Sequence, residues 1–225
     1  MVSNGMGRLS SALVAVALLG APSGALAGVI LSPTAVVSNS MGETQSTIDA
    51  TRNGSGLSIP FTSGVTNFDT YLALGPVHEW IFTDGSEWFS TLGVTQGTIV
   101  YDLGASYSVN RLALWNEEFS GIQTMGVETA NNAAFVGAVA VGNFLPIDSP
   151  FDTSYPAQVF DVADSVARYI RLTLTGPQVP NRGTYVSMGE IAFDVAPAAV
   201  PEPVTLSLLG LGLGAVCVRR RVSRR

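Results

Sequence analysis

The chain has 225 residues, with 11 basic against 17 acidic side chains, a net charge of −6 and a single cysteine and a single histidine. So acidic a chain repels phosphate backbones, which excludes nucleic acid as a partner class. One cysteine excludes an internal disulfide framework.

Taken in chain order, the first element is an export signal. Arg8 precedes an apolar run from Leu9 to Leu19, then Pro22, Gly24 and the small-x-small triplet Ala25-Leu26-Ala27. That order of basic, apolar and small-residue regions reads as a signal peptide over 1–27, cleaved by signal peptidase after Ala27. The segment from Gly42 to Leu92 is rich in turn formers around brief apolar islands at 57–61 and 71–74. Long irregular loops of this kind are where ligands are commonly held, and a loosely packed edge is the equal alternative. From Gly97 onward the text alternates. Strands are predicted at 97–103, 109–115, 126–129, 135–141, 158–162, 167–175 and 185–195. In the segment 167–175, Ile170, Leu172 and Leu174 share one face, and Tyr169, Arg171 and Thr173 the other. A period of two with glycine or proline stops argues for half-buried antiparallel strands. No stretch shows a sustained helical period, so the class is all-β, an antiparallel β-sandwich.

Residues 196–203 form a Pro/Ala linker ending in Pro201-Glu202-Pro203. Then come fifteen uncharged residues from Val204 to Val218 and the arginines at 219, 220, 221, 224 and 225. This apolar run is short of the ~20 residues that span hydrocarbon comfortably. It suits a thin or transient membrane anchor over 204–225, its arginines held on the cytoplasmic side. With both ends set aside, the region 28–195 holds five arginines against sixteen acids, a net charge of −11. Cys217 lies in the tail, and its context assigns it no role.

The order Pro-Glu-Pro, short apolar helix, basic terminus resembles the PEP-CTERM sorting signal. The resemblance implies recognition by a membrane-embedded exosortase, cleavage near Pro201-Glu202-Pro203, and a destination in the cell envelope, at the cell surface or in an extracellular matrix. A second resemblance runs through 46–195. Trp88-Phe89-Ser90, the strand 98–104 ending in Asp102-Leu103-Gly104, the next strand Val109 to Asn116, Ala167-Arg168-Tyr169-Ile170-Arg171-Leu172 and Ser187-Met188-Gly189-Glu190-Ile191 are similar to the discoidin, or coagulation-factor type C, pattern. It implies a galactose-binding-like jelly roll, a fold common among carbohydrate-binding and adhesion modules. The resemblance also implies a structural calcium ion, which carries over to Asp49 and Glu190, although Ala50 stands where the pattern has glycine.

Several matched residues have structural explanations. Trp88 and Leu103 read as core, Asp102 as an acceptor of backbone N–H groups at its turn, and Arg168 and Arg171 as partners of nearby carboxylates. The segment Trp115-Asn116-Glu117-Glu118 lies where a strand runs out into a loop. An exposed ring beside amide and carboxylate groups suits a sugar, and core packing of Trp115 is the even alternative. Arg52, His78 and Arg182 are the further candidates for the same concave surface. His78 has no partner at metal spacing, and no nucleophile or phosphate-loop motif occurs. For an acid–base pair, Glu87 and Glu117 with Glu118 are the first places to look. The expectation is a non-catalytic exported module that binds exopolysaccharide or another glycan. A structural adhesion protein without a sugar site is the first alternative, a polysaccharide hydrolase the second.

Overall fold

The computed structural model describes residues 28–44, 46–80, 85–179 and 182–198. The predicted signal peptide, the Pro-Glu-Pro motif and the apolar tail lie outside the described residues. Among the described residues no helix is long and apolar enough to cross a membrane.

The described residues form eleven strands: β1 Val29–Leu31, β2 Ala35–Asn39, β3 Val77–His78, β4 Trp88–Phe89, β5 Gln96–Trp115, β6 Thr124–Ala130, β7 Val139–Phe144, β8 Tyr155–Pro156, β9 Gln158–Thr175, β10 Ser187–Met188 and β11 Glu190–Pro197. A 3-10 turn at Ile48–Arg52 and a short helix α1 at Phe68–Leu72 complete the elements. The main sheet runs β1-β11-β5-β9-β6-β7, with β2 also on β5, and every pairing in it is antiparallel. The all-β antiparallel class is the observed one.

Two expected strand pairs are single bent strands. The segments predicted at 97–103 and 109–115 are one strand, β5, and those at 158–162 and 167–175 are β9. Gly104 does not end β5. It adopts φ +87, and the β5–β9 register shifts between Asp102 and Tyr107 and again between Val109 and Arg111. A side chain disfavours that φ, so glycine here lets the strand turn without stopping. The bend makes two layers from one sheet. β2 pairs with the first half of β5, over Ile99–Asp102, and β11 with the second half, over Tyr107–Trp115. Between the layers lies one continuous core. Ile99, Tyr101 and Leu103 from one half of β5 meet Leu112 and Leu114 from the other, together with Ile170, Leu172, Leu174, Ile191 and Phe193. The parity expected for 170, 172 and 174 is what is seen, all three being fully buried.

The outer face of the second layer is buried too. Alternation puts Ala113 and Trp115 of β5 and Ala192 of β11 on that face, where Ile30, Phe68, Tyr71 and Tyr155 cover them. The covering chain is the turn-rich segment, with Leu57, Ile59, Phe61 and Leu72 against it. Asn67 caps α1 by accepting from the Thr70 N–H at 2.9 Å. Arg111 fastens the cover to the sheet. It bonds Asp194 of β11 at 2.7 Å and Asp69 of α1 at 2.8 Å, and lies over the Phe68 ring at 4.7 Å. Much of the segment expected to hold ligand is therefore a lid on a second hydrophobic cluster. Its turns carry the chain across the sheet while its apolar islands face inward.

The two arginines of β9 behave as expected. Arg168 grips Asp102 with two 2.8 Å bonds, Arg171 bonds Glu128 at 2.8 Å, and Asp102 accepts the Gly104 N–H at 2.7 Å. Trp88 and Leu103 are core. The segment expected as a strand at 135–141 starts late: Phe135 sits in a turn at φ +53, and β7 begins at Val139.

Candidate functional site

At the end of β5 the chain enters a loop, 116–123, whose shape is set by Asn116. The Asn116 amide accepts from the Ile122 N–H at 2.7 Å and donates to the Ile122 carbonyl at 3.2 Å and to Gln178 Oε1 at 3.0 Å. A Cβ on Gly121 would lie 2.4 Å from the Glu117 carbonyl oxygen and 2.9 Å from the Asn116 amide, so the turn needs glycine there. This clasp, fully buried, places Glu117, Glu118 and Phe119 beside the small β4–β10 sheet and the loop that carries Tyr185.

Three carboxyl groups collect there. Glu117 accepts from the Ser120 N–H at 2.7 Å and from the Ser187 hydroxyl, which also contacts the Ser120 hydroxyl at 2.7 Å. Glu118 is next in the chain, and its Oε2 is buried without a hydrogen-bond partner. Glu87 accepts the Tyr155 hydroxyl proton at 2.6 Å. Glu87, Glu117 and Glu118 are 8%, 2% and 1% exposed, so all three carboxyls leave water on folding.

Burial dominates their acidity. It pushes Glu87 up to about 7, against the Tyr155 hydrogen bond, with the charge on Glu117 adding to the rise. For Glu118 burial acts first and the Glu117 charge second, lifting it to about 8. Glu117 is also raised by burial, while the Ser120 N–H and the Ser187 hydroxyl favour its charged form. Two carboxyls this close cannot both ionise cheaply.

Above the acids lies a pocket of about 100 Å3 lined by Trp80, Glu87, Phe89, Glu117, Glu118, Phe119 and Tyr185. Tyr185 meets Phe89 edge-on at 5.6 Å and stacks with Phe119 at 6.3 Å. Phe119 and Tyr185 are half-buried and Trp80 is exposed. Partly wet rings around polar groups can hold an amphipathic ligand such as a sugar ring.

The sequence candidates divide among three places. Glu117 is in the pocket wall. His78 lies behind it, fully buried, stacked on Tyr155 at 5.1 Å, with its ring nitrogens 3.0 Å from the Ser86 carbonyl and 3.1 Å from the Glu79 carbonyl. Burial lowers the His78 pKa, against the pull of the surrounding carbonyls. Added Cβ atoms on Gly56 and Gly189 would come within 2.4 and 2.9 Å of its ring, so two glycines make its slot. His78 is packed away from any ligand. Arg182 flanks the site: its guanidinium donates to the Glu118 carbonyl at 3.2 Å, sits 3.5 Å from Asp148, and lies over Phe151.

Trp115 corrects one expectation. Its ring is fully buried in the second cluster, and its Nε1 donates to the Pro76 carbonyl at 3.2 Å. It offers no face to a ligand. Asn116 likewise serves as the loop clasp. Arg52 is elsewhere, bonded to Asp49 at 2.7 Å and to the Thr34 carbonyl at 3.0 Å. The four residues expected to converge do not share one surface.

Of the pair implied for calcium, Glu190 is buried and Asp49 is exposed. Glu190 accepts the Gly54 N–H at 2.9 Å through Oε2, and leaves Oε1 without a partner. Asp49 is engaged by Arg52, whose charge also acts on Glu190. Among the described residues no group of three or more His, Cys, Asp or Glu is placed to hold a metal ion.

Glu87 and Glu118, marked in the sequence as places to look for acids, are brought together by the fold with Glu117, a ligand candidate. The rings of Trp80, Phe89, Phe119 and Tyr185 were not foreseen. They come from strand β4 and three separate loops, and nothing in their spacing links them.

A model of the PEP-CTERM protein-sorting motif matches residues 199–221. The chain carries that signal, which marks it as exported and sorted to the cell envelope. Comparison with curated proteins gave no match. Among solved structures, the C-terminal domain of a chitobiase from Bacteroides fragilis is similar at 16% identity and a TM-score of 0.43, over 76% of this chain and 99% of that one. A family 32 carbohydrate-binding module from Clostridium perfringens in complex with galactose is similar at 15% identity and a TM-score of 0.37, over 48% and 74%. Another from the same organism, in complex with GalNAc-β-1,3-galactose, is similar at 14% identity and a TM-score of 0.39, over 48% and 74%. At these values the likenesses carry no argument about the ligand of this chain.

Proposed function

We propose that the protein is a non-catalytic glycan-binding module whose tail is processed by an exosortase. One observation carries the binding reading: the pocket joins half-buried rings to a carboxyl group, on Glu118, that has an unpartnered buried oxygen. A buried acceptor without a donor costs roughly 1–3 kcal/mol, which a ligand hydroxyl or amine recovers on binding. A pocket of about 100 Å3 encloses less than one sugar ring, so the contact is shallow. Affinity should be millimolar to high micromolar, roughly −4 to −6 kcal/mol. Retention in a matrix then depends on many copies engaging a repetitive polymer.

Retardation of the purified protein in gels containing its host's exopolysaccharide tests this. Tyr185→Ala should weaken retardation about tenfold, the loss of one stacking ring, while the variant still melts cooperatively. If wild-type protein migrates freely through every polysaccharide tried, the adhesion-protein alternative takes over.

The hydrolase alternative has one observation in its favour, the raised pKa values of Glu87 and Glu118. Raised carboxyls mark many catalytic acids. Release of reducing ends from a bound polysaccharide, lost in Glu118→Gln, would decide for it.

Processing has its own test. Intact-mass analysis of surface material should show chains that begin at Gly28 and lack the arginines from 219 onward. A mature species retaining Arg225 would refute it.

A further inference from the structure

Three carboxyl groups form the polar side of the pocket, with the Glu87 carboxyl 3.6 Å from the buried His78 ring and Arg182 donating to the Glu118 main chain. That guanidinium is turned to the Glu118 main-chain carbonyl and to Asp148, and its flat face lies on Phe151. It does not reach the Glu118 carboxyl, and the pocket is left with an excess of negative and acceptor character.

The atom that most needs a partner is Glu118 Oε2. Its residue is 1% exposed and lines the pocket, and Oε2 is buried without a partner, an acceptor with nothing to accept from. A uronic acid would bring a second anion and more acceptors to this place. A neutral hydroxyl would bring one donor. A sugar ammonium brings three donors, no acceptor and a positive charge, and the faces of Tyr185 and Phe119 attract a cation as well.

We propose that the pocket selects glycans carrying an unacetylated amino sugar, with the ammonium group donating to Glu118 Oε2. The charged hydrogen bond is of the stronger class, since donor and acceptor environment are both polarised. Amide formation at that nitrogen removes two donors and the charge and adds an acceptor. N-acetylated residues should therefore bind more weakly at the same pocket. The inference rests on the glycan-binding reading and goes beyond it in naming the group recognised.

An acidic protein attracts any polycation, so the experiment uses short, defined ligands at physiological salt. Binding of the purified protein to glucosamine di- and trisaccharides, to their fully N-acetylated counterparts and to glucuronate-containing disaccharides is measured by titration calorimetry. Free-amine ligands should bind about tenfold more tightly than the acetylated ones, and the glucuronates more weakly than both. Glu118→Gln should bring the amine and acetylated ligands to within about twofold of one another. Asp164→Asn, which removes an exposed acid of β9 outside the pocket, should leave the preference intact.

Equal or tighter binding of the acetylated ligands overturns the amino-sugar inference and leaves the glycan-binding reading standing. That comparison uses the unaltered protein, so it holds even if a variant fails to fold. A preference lost equally in Asp164→Asn would assign it to overall charge and overturn the contact. Binding to none of the ligands and to no host polysaccharide would remove both readings together.

Discussion

Raising the pH from about 5 to 9 should lower the melting temperature by about 10 °C or more, the equivalent of a few kcal/mol in a domain of this size. The cause is the buried acid cluster. Glu87 rises from 4.5 in an open chain to about 7 in the fold, and Glu118 to about 8. The folded protein thus holds protons that the unfolded chain releases. Where a carboxyl is raised by folding, its contribution is complete below about 4.5 and is lost as the pH climbs through the folded value. Glu87 alone is worth on the order of 3 kcal/mol, at about 1.4 kcal/mol per tenfold change in acidity. Glu117 and Glu190 are raised in the same direction by burial. Their sum is not simply additive, because Glu117 and Glu118 titrate as one pair.

On the acid side other groups act in the opposite sense. His78 is lowered by burial, and Asp69 and Asp102 are lowered by their arginine partners. Their contributions are present at higher pH and fade as the pH falls, His78 below about 6.5 and the aspartates below about 4. Stability should therefore peak between about pH 5 and 6 and decline on both sides. The double variant Glu87→Gln with Glu118→Gln should flatten the alkaline limb. A melting temperature unchanged from pH 5 to 9 in the unaltered protein would show that these acids are hydrated and ionised.

How much of this was legible in the sequence follows from the range over which each feature is encoded. Alternation is local, so the inward set Ile170, Leu172 and Leu174 and the opposed parity of Arg111 could be read directly. The same alternation sets Trp115 with Ala113 and against Leu112 and Leu114. It cannot say that the second face is covered, since the covering residues lie at 57–72 and reach it only through the fold. Gly104 was read as a stop because glycine commonly ends a strand. In this chain it is the bend that turns one long strand into two layers.

The candidate site shows the same limit more sharply. Adjacent acids at 117 and 118 are visible in any reading, but their burial depends on the Asn116 clasp and on Ser187 arriving from far along the chain. The aromatic wall has no period to detect. Its rings at 80, 89, 119 and 185 are neighbours solely because the loops at one end of the sandwich converge there.

Trp115→Ala should cost about 3–5 kcal/mol of stability, the usual range for removing a large buried aromatic. The ring fills the space between β5, α1 and Tyr155, and its loss leaves a cavity bounded by Ile30, Phe68, Tyr71 and Ala192. It also leaves the Pro76 carbonyl without its 3.2 Å donor. Trp115→Phe keeps most of the volume but not that bond, so it should cost less, about 1–3 kcal/mol. Because the ring lies beneath the sheet's cover and outside the acid pocket, protein that remains folded should bind glycan as well as the original. Denaturant melts give the first quantity, and binding measured at a temperature where both variants are folded gives the second. Tyr185→Ala should show the reverse pattern, with binding reduced and the melt little changed. If Trp115→Ala instead melts like the unaltered protein and loses binding, the tryptophan face is the ligand platform and the pocket around Glu118 is not the site.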